Sequence, residues 1–228
     1  MEKHKERQFQ IEIVQHLTTH NWVEGDASGY DKELALYPED LIHYIKSTQP
    51  QAYEKMQKRE GAKTDAVLCQ HVAKAMDKQG SLYYLRNELK HIGAKFKLCQ
   101  FKPELHNPDT QARYDANILR VVQEVTTQSG HERIDLVLFL NGIPVATLEL
   151  KTDFTQNVHD AINQYKYDRP AKGEALLEFK RRALVHFAVS TDEVYMTTKL
   201  AGANTFFLPF NKGCADGSAG NPHNPNGY

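Results

Sequence analysis

The chain is poor in cysteine, with Cys69, Cys99 and Cys214 the only three in 228 residues. They are far apart and odd in number, with no CxxC or Cys/His spacing. That excludes a disulfide framework and a zinc knuckle, and it suits a reducing cytosol. No apolar run approaches the ~20 residues that cross a bilayer, and the N-terminus, MEKHKERQFQ, lacks the apolar core of a secretory signal. The expectation is a cytoplasmic protein with no membrane contact. No charge of one sign predominates: the formal net charge is −1, which excludes a non-specific, strongly basic nucleic-acid coat and leaves only a local patch for such a partner. No GxxxxGK[ST] occurs, so no Walker-type phosphate cradle lies in this stretch. Hydrophobic content of 40% with 25% charged residues is that of a globular domain able to bury a sizeable core.

Along the chain, Phe9, Ile13, Val14 and Leu17 predict an amphipathic helix over 5–20. Pro38-Glu39-Asp40 opens a second helix through Lys46, Pro50 precedes a third, and 63–78 reads as a fourth. Residues 83–89 fit helix or strand equally. A strand is predicted over 96–101, a loop over KPELHNPDTQARYDAN, and a strand over 118–126. Asn157 to Asp168 predicts a helix, with Val158, Ala161, Ile162 and Tyr165 at i, i+3, i+4 and i+7. A short helix is predicted over 175–181, then a buried strand over 183–189 and its partner over 194–198. The tail from Lys212 reads as linker. Helices followed by a mixed sheet with one crossing helix imply a layered α/β (α+β) domain.

The densest chemistry lies in IDLVLFLNGIPVATLELK, residues 134–151. Asn141-Gly142 supplies the positive φ angles of a tight hairpin turn between two apolar runs. Alternation puts Glu149 and Lys151 on one face and Leu150 on the other. The turn also folds Asp135, near the start of the first strand, back beside them. Two carboxylates and a lysine on adjacent strands can hold a magnesium ion for phosphodiester hydrolysis, with the Leu150 carbonyl as a further hard-oxygen ligand. By spacing alone this reading and a plain salt bridge are evenly matched. The apolar strands tilt the balance, because a carboxylate pair at their end is unfavourable without a cation.

On the following helix Gln164 is placed to reach a metal water or a phosphate, against the plainer reading that Tyr165 is core and Gln164 its solvated neighbour. Lys166, Arg169, Lys172, Lys180, Arg181 and Arg182 form a basic cluster, either a solvated face or phosphate contacts that position without reading sequence. Of the 11 histidines, His131 reads as loop and His186 as a satisfied core residue.

RIDLVLFLNGIPVATLELK, continuing through AINQYKYDRP, resembles the N-terminal nuclease domain of the R (restriction) subunit of type I restriction-modification enzymes. YDKELALYPEDLIHYIKSTQP, FKPELHNP, RRALVHFAVSTDEVYMTTKLAG and TFFLPFNKG extend the likeness over residues 5–228. That family is similar to the PD-(D/E)xK nucleases. The resemblance implies magnesium-dependent cleavage of double-stranded DNA, with manganese as a substitute, through Asp135, Glu149, Lys151 and the helix-borne Gln164. It implies metal ligation by Asp135, Glu149 and the Leu150 carbonyl, with Glu6 on the first helix as a further acid and Gln10 one turn later. DNA contacts are expected from Tyr165, Lys166, Arg169 and Lys172. Relatives that place a tyrosine four residues after the glutamine differ here, where position 168 is Asp168 and the tyrosines are Tyr165 and Tyr167. The division implied is a helical part over 1–95, a nuclease core over 96–210, and a linker over 211–228 toward two RecA-like motor domains. The chain is then a fragment of a longer subunit, with ATP used only by those motors and methyltransferase and specificity subunits as partners. The alternatives are a RecB-like repair nuclease, or a silent DNA-binding or docking module on the same fold.

Overall fold

The computed structural model describes residues 2–105, 107–152 and 157–211. The expected linker from 212, with Cys214, lies outside them. Helix α1 (Glu2–Thr18) leads into a short strand β1 (Trp22–Gly25). Helices α2 (Pro38–Thr48) and α3 (Pro50–Glu60) each open on a proline, whose missing N–H is harmless in a first turn. α4 (Thr64–Gln79) and α5 (Ser81–Arg86) follow, and then a two-stranded ribbon of β2 (Leu89–His91) and β3 (Ala94–Phe96). The ambiguous stretch 83–89 is thus the end of a helix and the start of a strand.

Three expectations are corrected. The strand predicted over 96–101 stops at Phe96, because the Gln49 side chain brackets the next residue. Its Oε1 accepts from the Lys97 N–H and its Nε2 donates to the Lys97 carbonyl, taking the place of a neighbouring strand. The predicted loop holds helix α6 (Pro108–Asp115), which Asn107 caps by accepting from the Thr110 N–H at 3.1 Å. The predicted helix over 175–181 is a run of turns instead, since Glu174 folds back to accept from the Leu176 N–H and reaches across to the Gln128 N–H.

The main sheet is built from β4 (Leu119–Thr126), β5 (Arg133–Leu140), β6 (Ile143–Leu150), β7 (Val185–Val189), β8 (Val194–Thr197) and β9 (Leu208–Asn211) together with β1. Its order is β1-β4-β5-β6-β7-β8-β9, with β1/β4 and β6/β7 parallel and the other pairs antiparallel. A mixed seven-stranded sheet with flanking helices is the α/β class expected. Its outer strands β1 and β9 are four residues each, too short to show a period in the sequence. Helix α7 (Val158–Asn163) runs on through one π turn, Gln164–Asp168, and makes the crossover from β6 to β7.

The two sheet faces are covered by different helices. On one, Phe9, Ile13, Val14 and Leu17 of α1 pack with Val121, Leu136, Leu150 and Val189. On the other, Val158, Ala161 and Ile162 of α7 pack on Ala188. The helices α2 to α4 gather a larger core of their own that reaches Ile143 at the hairpin turn. Helix α1 and strand β1, although they precede position 95, belong to the sheet layers.

The hairpin turn is fixed from several sides. Asn141 and Gly142 adopt φ of 49° and 78°, the pair of positive angles that the turn demands. The Asn141 side chain accepts from the Ile118 N–H and donates to the Leu98 carbonyl, and the Gly142 carbonyl accepts from the Tyr37 N–H. A Cβ at Gly142 would stand 2.2 Å from the Tyr37 carbonyl oxygen. Gly142→Ala is therefore expected to lose at least about 1–3 kcal/mol from backbone strain alone. The collision with α2 adds to that, and chemical denaturation would measure the sum.

Candidate active site

Strands β5 and β6 are paired through Leu136 and Leu148, so the next residues across the ladder are Asp135 and Glu149. Alternation sends both to the face that carries α7, while Leu150 points to α1. Asp135 is fastened into the ladder: its Oδ2 accepts from the Leu150 N–H at 2.7 Å, which leaves its other oxygen, Oδ1, for a further partner. Its own carbonyl accepts from the Gln10 side chain of α1 at 2.8 Å. Lys151, one residue past the strand and 5% exposed, donates from Nζ to the Leu150 carbonyl at 2.9 Å and to Glu6 at 2.7 Å. The structure thus brings Asp135, Glu149, Lys151, the Leu150 carbonyl and Glu6 to one end of the sheet.

Glu149 is completely buried, and it does not pair with the lysine. Arg169 donates from Nε to Oε1 at 2.7 Å and from Nη2 to Oε2 at 3.3 Å, while Nη2 also reaches the Arg133 carbonyl. Burial first, and then the neighbouring Asp135 charge, push Glu149 up to about 8 against the pull of Arg169. Burial likewise lifts Asp135 to about 6, opposed by the Leu150 N–H and by Lys151. Two adjacent carboxylates that resist ionisation would be relieved by a divalent cation. The available donors are all oxygens, the set that magnesium prefers. Among the described residues no three His, Cys, Asp or Glu side chains converge as a metal cluster. A cation here would rest on two carboxylates and a main-chain carbonyl, and water would complete its shell.

The other expected residues fall differently. Gln164 opens the π turn with its Oε1 buried, and among the described residues that oxygen has no hydrogen-bond partner. Tyr165, expected at DNA, is wholly buried, with its hydroxyl 2.8 Å from Thr147 Oγ1, so it has no surface to offer a phosphate. Thr147 in turn meets His186 Nδ1 at 2.8 Å, while His186 Nε2 is buried without a partner. His186 is therefore core, as expected, but half satisfied. Tyr167 is exposed. Lys166 is partly buried and Lys172 exposed. The basic cluster breaks up at its far end, where Arg181 pairs with Asp77 and Glu178. Arg182 is buried between Asp77 and the Leu34 carbonyl.

Reading the sequence missed that Arg169 serves Glu149 and that Gln10 holds Asp135. The first had only a weak signal, a cation just past the end of the helix that follows the hairpin; Arg169 caps the π turn in a non-helical conformation. The second had none, since 125 residues separate Gln10 from Asp135.

No helix among the described residues is long and apolar enough to cross a membrane. No curated protein matches the chain. The family model for the type I restriction enzyme R protein N terminus, however, matches residues 4–205. Those residues take in the whole hairpin, Glu6, Gln10 and Arg169, and the chain belongs to that family.

Proposed function

We propose that this domain is a magnesium-dependent endonuclease that cuts duplex DNA within a type I restriction complex. The observation that carries this reading is the buried pair Asp135 and Glu149, side by side at the end of a sheet, with Lys151 beside them. Asp135, Glu149 and the Leu150 carbonyl would hold the ion. When bound, magnesium supplies charge neutralisation at the phosphate and makes a water more acidic. Lys151 carries its ammonium on the Leu150 carbonyl, at the edge of the proposed ion site, where it can orient the attacking water and balance charge on the phosphate. Glu6 holds Lys151 in that place, and Gln10 holds the main chain at Asp135. Lys172 and Lys166 supply phosphate contacts along the duplex.

The remaining parts follow from the family. The R protein would bring ATP-driven motor domains, and methyltransferase and specificity subunits would complete an assembly working in the cytoplasm. Sequence recognition then belongs to another chain, in keeping with a site built here for the phosphodiester backbone. The test is a reconstituted complex carrying Lys151→Ala. Plasmid cleavage should be lost while ATP hydrolysis continues, because Lys151 belongs to the proposed cleavage site and this chain carries no Walker-type phosphate cradle. Cleavage at the wild-type rate would overturn the assignment.

A further inference from the structure

Both oxygens of Glu149, the most deeply buried of the proposed ligands, are already taken. Arg169 covers them with two nitrogens and is pinned by a third bond to the Arg133 carbonyl. A guanidinium in that place neutralises the carboxylate and occupies both of its oxygens. A fork of this kind is among the stronger ion-pair geometries, so it competes with a cation rather than merely crowding it. Counted as ionised, Asp135, Glu149 and Glu6 carry three negative charges against two positive ones on Lys151 and Arg169. Adding a dication while Arg169 stays would leave a surplus positive charge in a site largely shut off from water.

Arg169 has somewhere to go. It forms part of the wall of a 420 Å³ cavity together with Thr127, Ser129, Glu132, Lys172 and Glu174. The two acids there are engaged by their own loops: Glu132 accepts from Ser129, and Glu174 accepts from the Gln128 and Leu176 N–H groups. Lys172 is exposed on the same wall. A DNA phosphate entering this cavity would meet Lys172 and offer Arg169 an anion in exchange for Glu149.

We infer that Arg169 is a positioning residue that gates the metal site, leaving Glu149 for a DNA phosphate so that the metal and the DNA bind cooperatively. The inference rests on the nuclease reading, in which Asp135 and Glu149 are the ligands. Coupling of this kind is reciprocal, and it is typically worth a factor of about 5–150 in affinity. An arginine with a purely structural role makes the opposite prediction, because its removal would leave Glu149 disordered and weaken the metal.

The experiment is an electron paramagnetic resonance titration of Mn²⁺ into the full R protein without ATP. Binding that persists in Asp135→Asn is subtracted as belonging to other sites. In wild type, a short duplex should tighten Mn²⁺ at this site by about tenfold or more. Arg169→Ala should bind Mn²⁺ about tenfold more tightly than wild type without DNA, and the duplex should then add nothing. Arg169→Lys, with one contact in place of a fork, should lie between the two. Unchanged or weaker Mn²⁺ binding in Arg169→Ala would overturn the gate. So would a wild-type affinity indifferent to the duplex, a measurement that needs no variant at Arg169. Absence of any Mn²⁺ binding dependent on Asp135, with or without DNA, would instead defeat the nuclease reading itself.

Discussion

Asp135→Asn in the full R protein is expected to slow DNA cleavage by at least about 10³-fold while the domain stays folded. The substitution keeps the shape of the side chain, and an amide oxygen can still accept the Leu150 N–H that Asp135 Oδ2 accepts at 2.7 Å. What disappears is the negative charge of a proposed ligand. Electrostatic stabilisation by a bound metal is worth several kcal/mol in the transition state, and about 4 kcal/mol corresponds to a factor of 10³. Stability should hold or rise slightly, because the lost carboxylate is one that burial pushes up to about 6. ATP hydrolysis and translocation should be untouched. Single-turnover plasmid cleavage beside a thermal melt gives both numbers. Cleavage within about tenfold of wild type would remove Asp135 from the ligand set.

The second large effect is on stability, with pH as the variable. Glu149 ionises near the ordinary 4.5 in the unfolded chain and at about 8 in the fold, mainly because of its burial. Between those values the folded state holds the proton more tightly. The associated stability is therefore complete below about 4.5 and is lost as pH rises through about 8. Asp135 acts with the same sign but in a lower window that closes near 6. His186, held down to about 4 by burial, has the opposite sign, and its stability falls away only below 6.5.

The interval from pH 6.5 to 8 therefore belongs mostly to Glu149. In EDTA the melting temperature should fall across it by roughly 4–8 °C, equivalent to at most about 2 kcal/mol. Glu149→Gln should flatten this slope whatever it does to the absolute value. Magnesium should raise the melting temperature, and most at the high end of the interval, since it binds the ionised carboxylates. A wild-type slope identical to that of Glu149→Gln would show that the carboxyl does not hold its proton as the burial requires.

Local pattern was enough for much of this. The Asn141-Gly142 turn was legible because few other dipeptides tolerate two positive φ angles, and the apolar runs on either side fixed which strands it joins. Strict alternation from that turn, which pairs Leu140 with Ile143, would set Asp135 opposite Leu148; a register shift at Leu138 and Phe139 moves the pairing on by one residue and brings Asp135 opposite Glu149. Proline at the start of α2 and of α3 announced those helices for a reason that does not depend on the rest of the chain. The failures have a different origin. Asn107-Pro108-Asp109 is a capping signature hidden in a stretch rich in turn formers, so α6 reads as loop from the sequence. The strand expected after Phe96 was displaced by a glutamine side chain 48 residues away. Tyr165 could have faced DNA or the core, and only the packing of α7 on the sheet turned it inward.

The sequence alone determined the fold class, the family and the identity of the paired carboxylates, because each rests on short-range periodicity, turn chemistry or motif text. How those carboxylates meet and how they are held was settled by the folded arrangement. Arg169 sits on Glu149, Lys151 on Glu6 and the Leu150 carbonyl, and Gln10 on the main chain at Asp135. The physical reason is that a charge buried at the end of a sheet must find its partner in space. In this protein the partners come from α1, from the turn after α7 and from the main chain, and spacing along the chain ranks none of them ahead of the others.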